Sequence, residues 1–129
     1  MKRGIPMIKH RPLPTLRVQI PFERSFTRQE FLRLSQGLPA QSMDDRWTIF
    51  FKDPWLTVVR SWTGFCIYKL RIEKNGAEYK VAKVLVNRDR RQYGGDDTRR
   101  EAELLSLLID GMLLRDPDFR RTRQSLTIY

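Results

Sequence analysis

The chain holds one cysteine and one histidine, so it is nearly without the two residue types that build most catalytic and metal centres. A single Cys66 rules out an internal disulfide framework and fits a reducing compartment. His10 sits among Pro6, Pro12 and Pro14, so no histidine triad or histidine metal cluster can be assembled on a rigid element. The longest apolar run, residues 104–114, is broken by Ser106, Asp110 and Gly111, whereas crossing a bilayer takes about 20 apolar residues. Gly94-Gly95-Asp96-Asp97 lacks the spaced glycines and following Lys-Ser/Thr of a phosphate loop. No helix-turn-helix spacing, zinc-ligand set or cofactor signature occurs, which argues against sequence-specific DNA reading and implies no cofactor. No acid precedes Glu23, a habit of organellar transit peptides, but the prolines break the amphipathic helix such a peptide needs.

Positive charge and strand-forming residues are plentiful. In 129 residues the net charge is +10, with 40% hydrophobic and 31% charged residues, the composition of one folded domain. Residues 1–45 carry eight Lys/Arg against four acids, 46–87 eight against three, and 88–129 nine against eight. The excess is therefore spread over the N-terminal and central segments rather than gathered in a tail.

Residues 46–51, 55–62, 64–73 and 77–86 read as four consecutive strands, rich in β-branched and aromatic residues and separated by turn residues. Asp53-Pro54 makes the first turn. Lys74-Asn75-Gly76-Ala77 reads as an Asn-Gly two-residue turn. Counting outward from it sets Ile72 opposite Tyr79, Leu70 opposite Val81, Tyr68 opposite Lys83 and Cys66 opposite Leu85, with Glu73 unfavourably opposite Glu78. If Thr63-Gly64 is a two-residue turn as well, Trp62 pairs with Phe65 and Arg60 with Ile67.

Thr27-Arg28-Gln29-Glu30 is a capping box flanked by Phe26 and Phe31 at the staple positions, opening a short helix that Gly37 and Pro39 end. Thr98-Arg99-Arg100-Glu101 repeats the signature before a longer helix over 98–114. That helix has a wide apolar arc, which is either sunk in the core or shared with a second copy of the chain as a homodimer contact. The expected fold is α+β: a four-stranded antiparallel meander with one short N-terminal helix and one longer C-terminal helix packed on it. Residues 1–25 form a basic, proline-containing arm in which Leu16, Val18 and Ile20 can add an edge strand. Residues 26–115 form the domain, with its sheet in 46–87, and 116–129 form a basic tail.

Arg46, Trp47, Arg60, Trp62, Thr63 and Gly64 are the leading site candidates, because an arginine fork beside aromatic rings can clamp a phosphate while a planar group stacks. The competing reading is that the tryptophans fill the core and Arg60 covers apolar surface with its stem. Lys69, Arg71 and Lys80 on the sheet, with Arg88, Arg90 and Arg91 in the 87–97 loop, form a second set suited to nonspecific nucleic-acid binding. Arg120, Arg121 and Arg123 with Phe119 offer the same chemistry in the tail. Asp96, Asp97 and Glu101 are acids for a cation or for catalysis, although acids at a helix start are explained by the helix dipole. Cys66, expected on one strand face with Tyr68, Leu70 and Ile72, reads as a buried thiol rather than a nucleophile.

At Asp45-Arg46-Trp47, Val58-Val59-Arg60-Ser61-Trp62-Thr63-Gly64 and Ile67-Tyr68 the chain resembles a group of small bacterial domains of unassigned function. In that group a similar Arg-Trp opening leads to an Arg-Ser-Trp-Thr-Gly turn, and the likeness covers roughly residues 43–114. The resemblance implies a cytoplasmic α+β domain and carries over no catalytic residues. It also raises the expectation that residues 1–42 are an appended arm, or that translation starts at Met43, against which the capping box at Thr27 stands. The function expected is a non-enzymatic cytoplasmic binding module for an anionic nucleotide-like ligand or an acidic protein partner. A nucleic-acid binder is the alternative, and a small enzyme the third reading.

Overall fold

A computed structural model describes residues 10–38 and 46–114. Six strands and two helices follow one another as β1 (Arg17–Ile20), β2 (Ser25–Phe26), α1 (Arg28–Leu34), β3 (Trp47–Lys52), β4 (Trp55–Arg60), β5 (Cys66–Asn75), β6 (Glu78–Asn87) and α2 (Thr98–Leu108). A π-helical turn over Ile109–Leu113 extends α2. All strand pairs are antiparallel, and the sheet order is β1-β6-β5-β4-β3, with β2 also on β6.

The four-stranded meander expected from the sequence is therefore corrected to a six-stranded sheet. β1 and β2 lie end to end along β6, pairing with Val84–Asn87 positions and with Tyr79 and Lys80 respectively. They convert β6 from an edge into an interior strand, covering backbone groups that an edge leaves unpaired. Ile20 and Phe26, at 3% and 1% exposure, are the anchors this segment contributes to the core. Residues 17–20 and 25–26, upstream of Met43, are thus built into the sheet rather than appended to it.

Two bulges and two turns set the register differently from the count outward from Asn-Gly. Asn75 itself pairs with Glu78, so Gly76 (φ 66°) and Ala77 are the central turn residues, with glycine first. Every partner moves by two along β6: Lys74 faces Tyr79, Ile72 faces Val81 instead of Tyr79, and Glu73 faces Lys80 instead of Glu78. An opposite-charge pair replaces a like-charge one, a physical reason for the turn to settle here. Beyond the extra residue Ala82 on β6, Leu70 faces Val84 and Tyr68 faces Val86. On β5 the extra residue is Ile67: Val58 faces Tyr68 while Val59 faces Cys66. The bulge turns Cys66 away from the face of Tyr68, Leu70 and Ile72 on which alternation alone had placed it.

Both helices lie on one face of the sheet. There Leu34, Ile49, Leu56, Val58, Tyr68 and Leu70 join Leu105, Leu108 and Ile109 in the main core. Fully burying an aliphatic or aromatic side chain contributes about 1.5–3 kcal/mol. The capping box of α1 is formed as expected, with Thr27 Oγ1 accepting from the Glu30 N–H at 3.1 Å and Glu30 Oε1 from the Thr27 N–H at 2.9 Å. α2 starts differently. Asp97 is its cap, accepting from Arg99 and Arg100 N–H, and Glu101 turns inward to 3% exposure rather than closing a box with Thr98.

On the opposite face a smaller cluster of Leu13, Val59 and Cys66, with Phe50 and Leu85, lies under residues 10–16. This basic stretch, expected as a solvated arm, is held as a strap from His10 onward. The Arg11 N–H donates to the Gly64 carbonyl at 2.8 Å and the Arg88 N–H to the Leu16 carbonyl at 2.7 Å. The His10 ring stacks on Phe50, with centroids 5.2 Å apart and planes 7° from parallel. No described helix is long and apolar enough to cross a membrane. The basic tail with Phe119, Arg120, Arg121 and Arg123 lies outside the described residues.

Candidate functional site

The Arg-Ser-Trp-Thr-Gly stretch closes the β4–β5 hairpin as a four-residue loop, not as the two-residue turn expected at Thr63-Gly64. Arg60 rather than Trp62 faces Phe65, its N–H donating to the Phe65 carbonyl at 2.9 Å. Gly64, at φ 77°, returns its own N–H to the Arg60 carbonyl at 2.8 Å. Glycine adopts that left-handed backbone without the Cβ clash that other residues meet. Thr63 Oγ1 accepts from the Phe65 N–H at 3.2 Å, so Thr63 shapes the loop. Ser61 ties it to β3 twice, through its N–H to the Arg46 carbonyl (2.8 Å) and its hydroxyl to that of Thr48 (2.8 Å).

On this scaffold Trp47 and Arg60 are direct cross-strand partners. The Arg60 guanidinium lies over the Trp47 ring, 5.4 Å from its centroid, while Arg60 itself is exposed. Trp62 is 63% exposed at the loop tip. The structure thus brings together Arg46, Trp47, Arg60, Trp62, Thr63 and Gly64, and it puts neither Arg60 nor Trp62 in the core. Gly64 is buried beneath the strap.

Behind this corner runs a row of rings. Trp47 is 6.1 Å from Tyr68, and Tyr68 is 6.4 Å from Tyr93. The Tyr93 hydroxyl donates to Glu101 Oε2 at 2.7 Å, and Arg88 grips both Glu101 oxygens at 2.7 and 2.8 Å. This bidentate pair is 17% and 3% exposed, so removing either partner leaves a buried charge uncompensated. Burial raises the Tyr68 and Tyr93 hydroxyls above their ordinary range, and for Tyr93 the hydrogen bonds to Tyr68 and Glu101 add to it. Both stay protonated at neutral pH. A cleft of about 630 Å³ opens beside them, with Asp96, Asp97, Arg100, Glu103 and Leu107 among its walls.

The acids considered for catalysis are engaged in the fold. Glu101 holds Arg88 and Tyr93, Asp97 caps α2, and Asp96 lies 3.4 Å from Arg90. Among the described residues no three His, Cys, Asp or Glu side chains gather as a metal site. Burial pushes the Cys66 thiol up to about 11, partly opposed by the charges of Lys69 and Arg17, so it is no thiolate nucleophile at neutral pH.

The second set of basic residues divides. Arg88 is consumed by Glu101, and Arg91 bonds Asp89 through both Nε (3.0 Å) and Nη2 (2.9 Å), holding that carboxyl below its ordinary range. Arg90 points to Asp96. These loop arginines therefore do not extend the sheet-face set. Lys69 and Arg71 lie over the ring of Trp55, at 5.0 and 5.7 Å from its centroid. Lys80 sits between Ser25 and Glu73 in the register. Sequence reading overlooked Trp55 as the centre of this group and took Glu101 for a capping-box acid at the helix start. The signal for Glu101 was present: with Leu105 and Leu108 it occupies positions i, i+4 and i+7, the buried stripe of α2.

No family model, no curated protein and no solved structure matches this chain.

Proposed function

We propose that the chain is a binding module whose Arg60–Trp47–Trp62 corner takes an anionic ligand carrying a planar group, of nucleotide-like chemistry. The observation that carries this reading is the exposed Arg60 guanidinium held over Trp47 by cross-strand pairing, beside a tryptophan that is 63% exposed. Among the described residues no carboxylate pairs with Arg60, so its donors are available to a phosphate. A cation stacked on tryptophan is already oriented, which lowers the ordering cost of binding. Arg46 at the start of β3 adds a second positive charge at the same end of the sheet.

Titrating the full chain with a panel of mononucleotides while following tryptophan fluorescence tests this. Arg60→Ala abolishes the fluorescence response and leaves the melting temperature within a few degrees. An Arg60→Ala protein that unfolds, or that responds like the parent, sinks the reading.

A further inference from the structure

The sheet face opposite the helices presents cations around an aromatic ring, and we propose that it binds single-stranded nucleic acid. In the register Trp55 has Lys52 opposite it on β3 and Arg71 on β5, and Arg71 in turn has Lys83 opposite it on β6. Residues directly opposite share a face, so Lys52, Arg71 and Lys83 form a band across four strands with Trp55 in it. Lys69, two residues from Arg71, completes the bracket over the ring at 5.0 Å.

Two observations point to a polyanion. Arg71 and Lys83 are like charges directly opposed, an arrangement that costs stability in a sheet unless something neutralises it. Among the described residues no carboxylate is within ion-pairing distance of Lys52, Lys69, Lys80 or Lys83, and Arg71 alone has one, Glu73 at 2.7 Å. Around α2, by contrast, Arg24, Arg88 and Arg91 each grip a carboxylate.

The rings select the kind of polyanion. Beside Trp55 runs a groove of about 480 Å³ between strap and sheet, with His10, Phe50, Lys52, Asp53, Trp55 and Lys69 in its walls. The parallel His10–Phe50 stack already seats one flat ring on this face. Stacking surfaces interleaved with phosphate-binding cations suit unpaired bases, which a duplex does not offer and an acidic peptide does not have.

The experiment follows fluorescence anisotropy of a labelled oligothymidylate with the full chain across a salt series. Binding is expected, with log affinity falling against log salt at a slope of roughly −3, from about −0.7 per phosphate contact on a single strand. Trp55→Ala is expected to weaken binding roughly tenfold or more, the usual effect of losing one stacked base. Trp55 also braces the β3–β4 hairpin, so Lys83→Glu, at an exposed position, supplies a second arm. It should weaken binding at least about tenfold without lowering the urea midpoint. Arg99→Ala, exposed on α2, should bind as the parent does. Absence of binding at low salt overturns the proposal, as do folded Trp55→Ala and Lys83→Glu proteins that bind unchanged. Equal affinity for a duplex of the same length, or equal competition by polyglutamate, overturns it in favour of a nonspecific polyanion patch.

Discussion

The two faces of the sheet use the same amino acids in opposite ways. Around α2 the arginines are spent on the fold: Arg88 on Glu101, Arg91 on Asp89, and Arg24 on Asp110 at 2.6 Å. On the other face Lys52, Lys69 and Lys83 have no carboxylate partner among the described residues, and Arg71, which holds Glu73 at 2.7 Å, also opposes Lys83. The Arg88–Glu101 pair is buried, so removing either partner is costly, whereas an exposed, unpaired cation contributes little to stability and remains available to a ligand. Net charge alone cannot separate these roles. Only the placement of the acids does.

Four measurements break or sharpen that contrast. The largest effect is expected from Glu101→Ala, which leaves Arg88 and Tyr93 without their shared acceptor. It should lower stability by about 3–5 kcal/mol in urea unfolding, whereas Lys69→Ala on the open face changes it by about 0.5 kcal/mol or less. Equal effects at the two positions would erase the distinction between the faces.

Next is the Cys66 thiol beneath the strap. Its folded pKa stands at about 11 against an ordinary 9.0, so above pH 9 the unfolded chain loses this proton while the folded chain keeps it. The native state then binds more protons, and stability falls with rising pH. The contribution is fully present below about pH 9 and is lost as pH rises toward 11, a change of roughly 2–3 kcal/mol. Cys66→Ala should flatten the pH dependence of the urea midpoint in that window relative to the parent. An unchanged slope would show that the thiol is not enclosed.

Gly37→Ala tests the connection that seats α1 against the sheet edge. Gly37 has φ 72°, and a Cβ there would come within 2.5 Å of the Ile49 carbonyl oxygen, beside the two hydrogen bonds joining Leu38 to Ile49. A loss of about 2 kcal/mol is expected by thermal or urea unfolding. The smallest effect is Lys83→Glu, which turns the repulsion with Arg71 into attraction. A gain of about 0.2–1 kcal/mol, together with lost oligonucleotide affinity, would mark the open face as kept basic at some cost to stability.

Much of the fold was legible because its signals are local. The Thr27–Glu30 box, the Asp53-Pro54 turn, the four central strands and the helix after Asp97 each rest on neighbours in sequence. What was not legible has a common cause. A two-residue strand such as Ser25–Phe26 has no periodicity to read, and its existence depends on β6 lying beside it. Single extra residues at Ile67 and Ala82 moved Cys66 to the other face and shifted partners along β5, because a side chain's face reverses with each residue. At the candidate corner, Arg46, Trp47, Arg60 and Trp62 were recognisable by type, but their exposure was not.

By itself the sequence determined the strand and helix types, the excess of positive charge and the scarcity of histidine and cysteine, all of which follow from residue identity and short-range spacing. The tertiary structure decided which positive charges are consumed. Glu101 and Asp110 are brought to Arg88 and Arg24 by the packing of α2 and its π-helical extension against the sheet, and Arg24 and Asp110 lie 86 positions apart in the chain. Pairing depends on distances of a few ångströms between residues distant in sequence, so the cations left over for a ligand emerge only when the chain has folded.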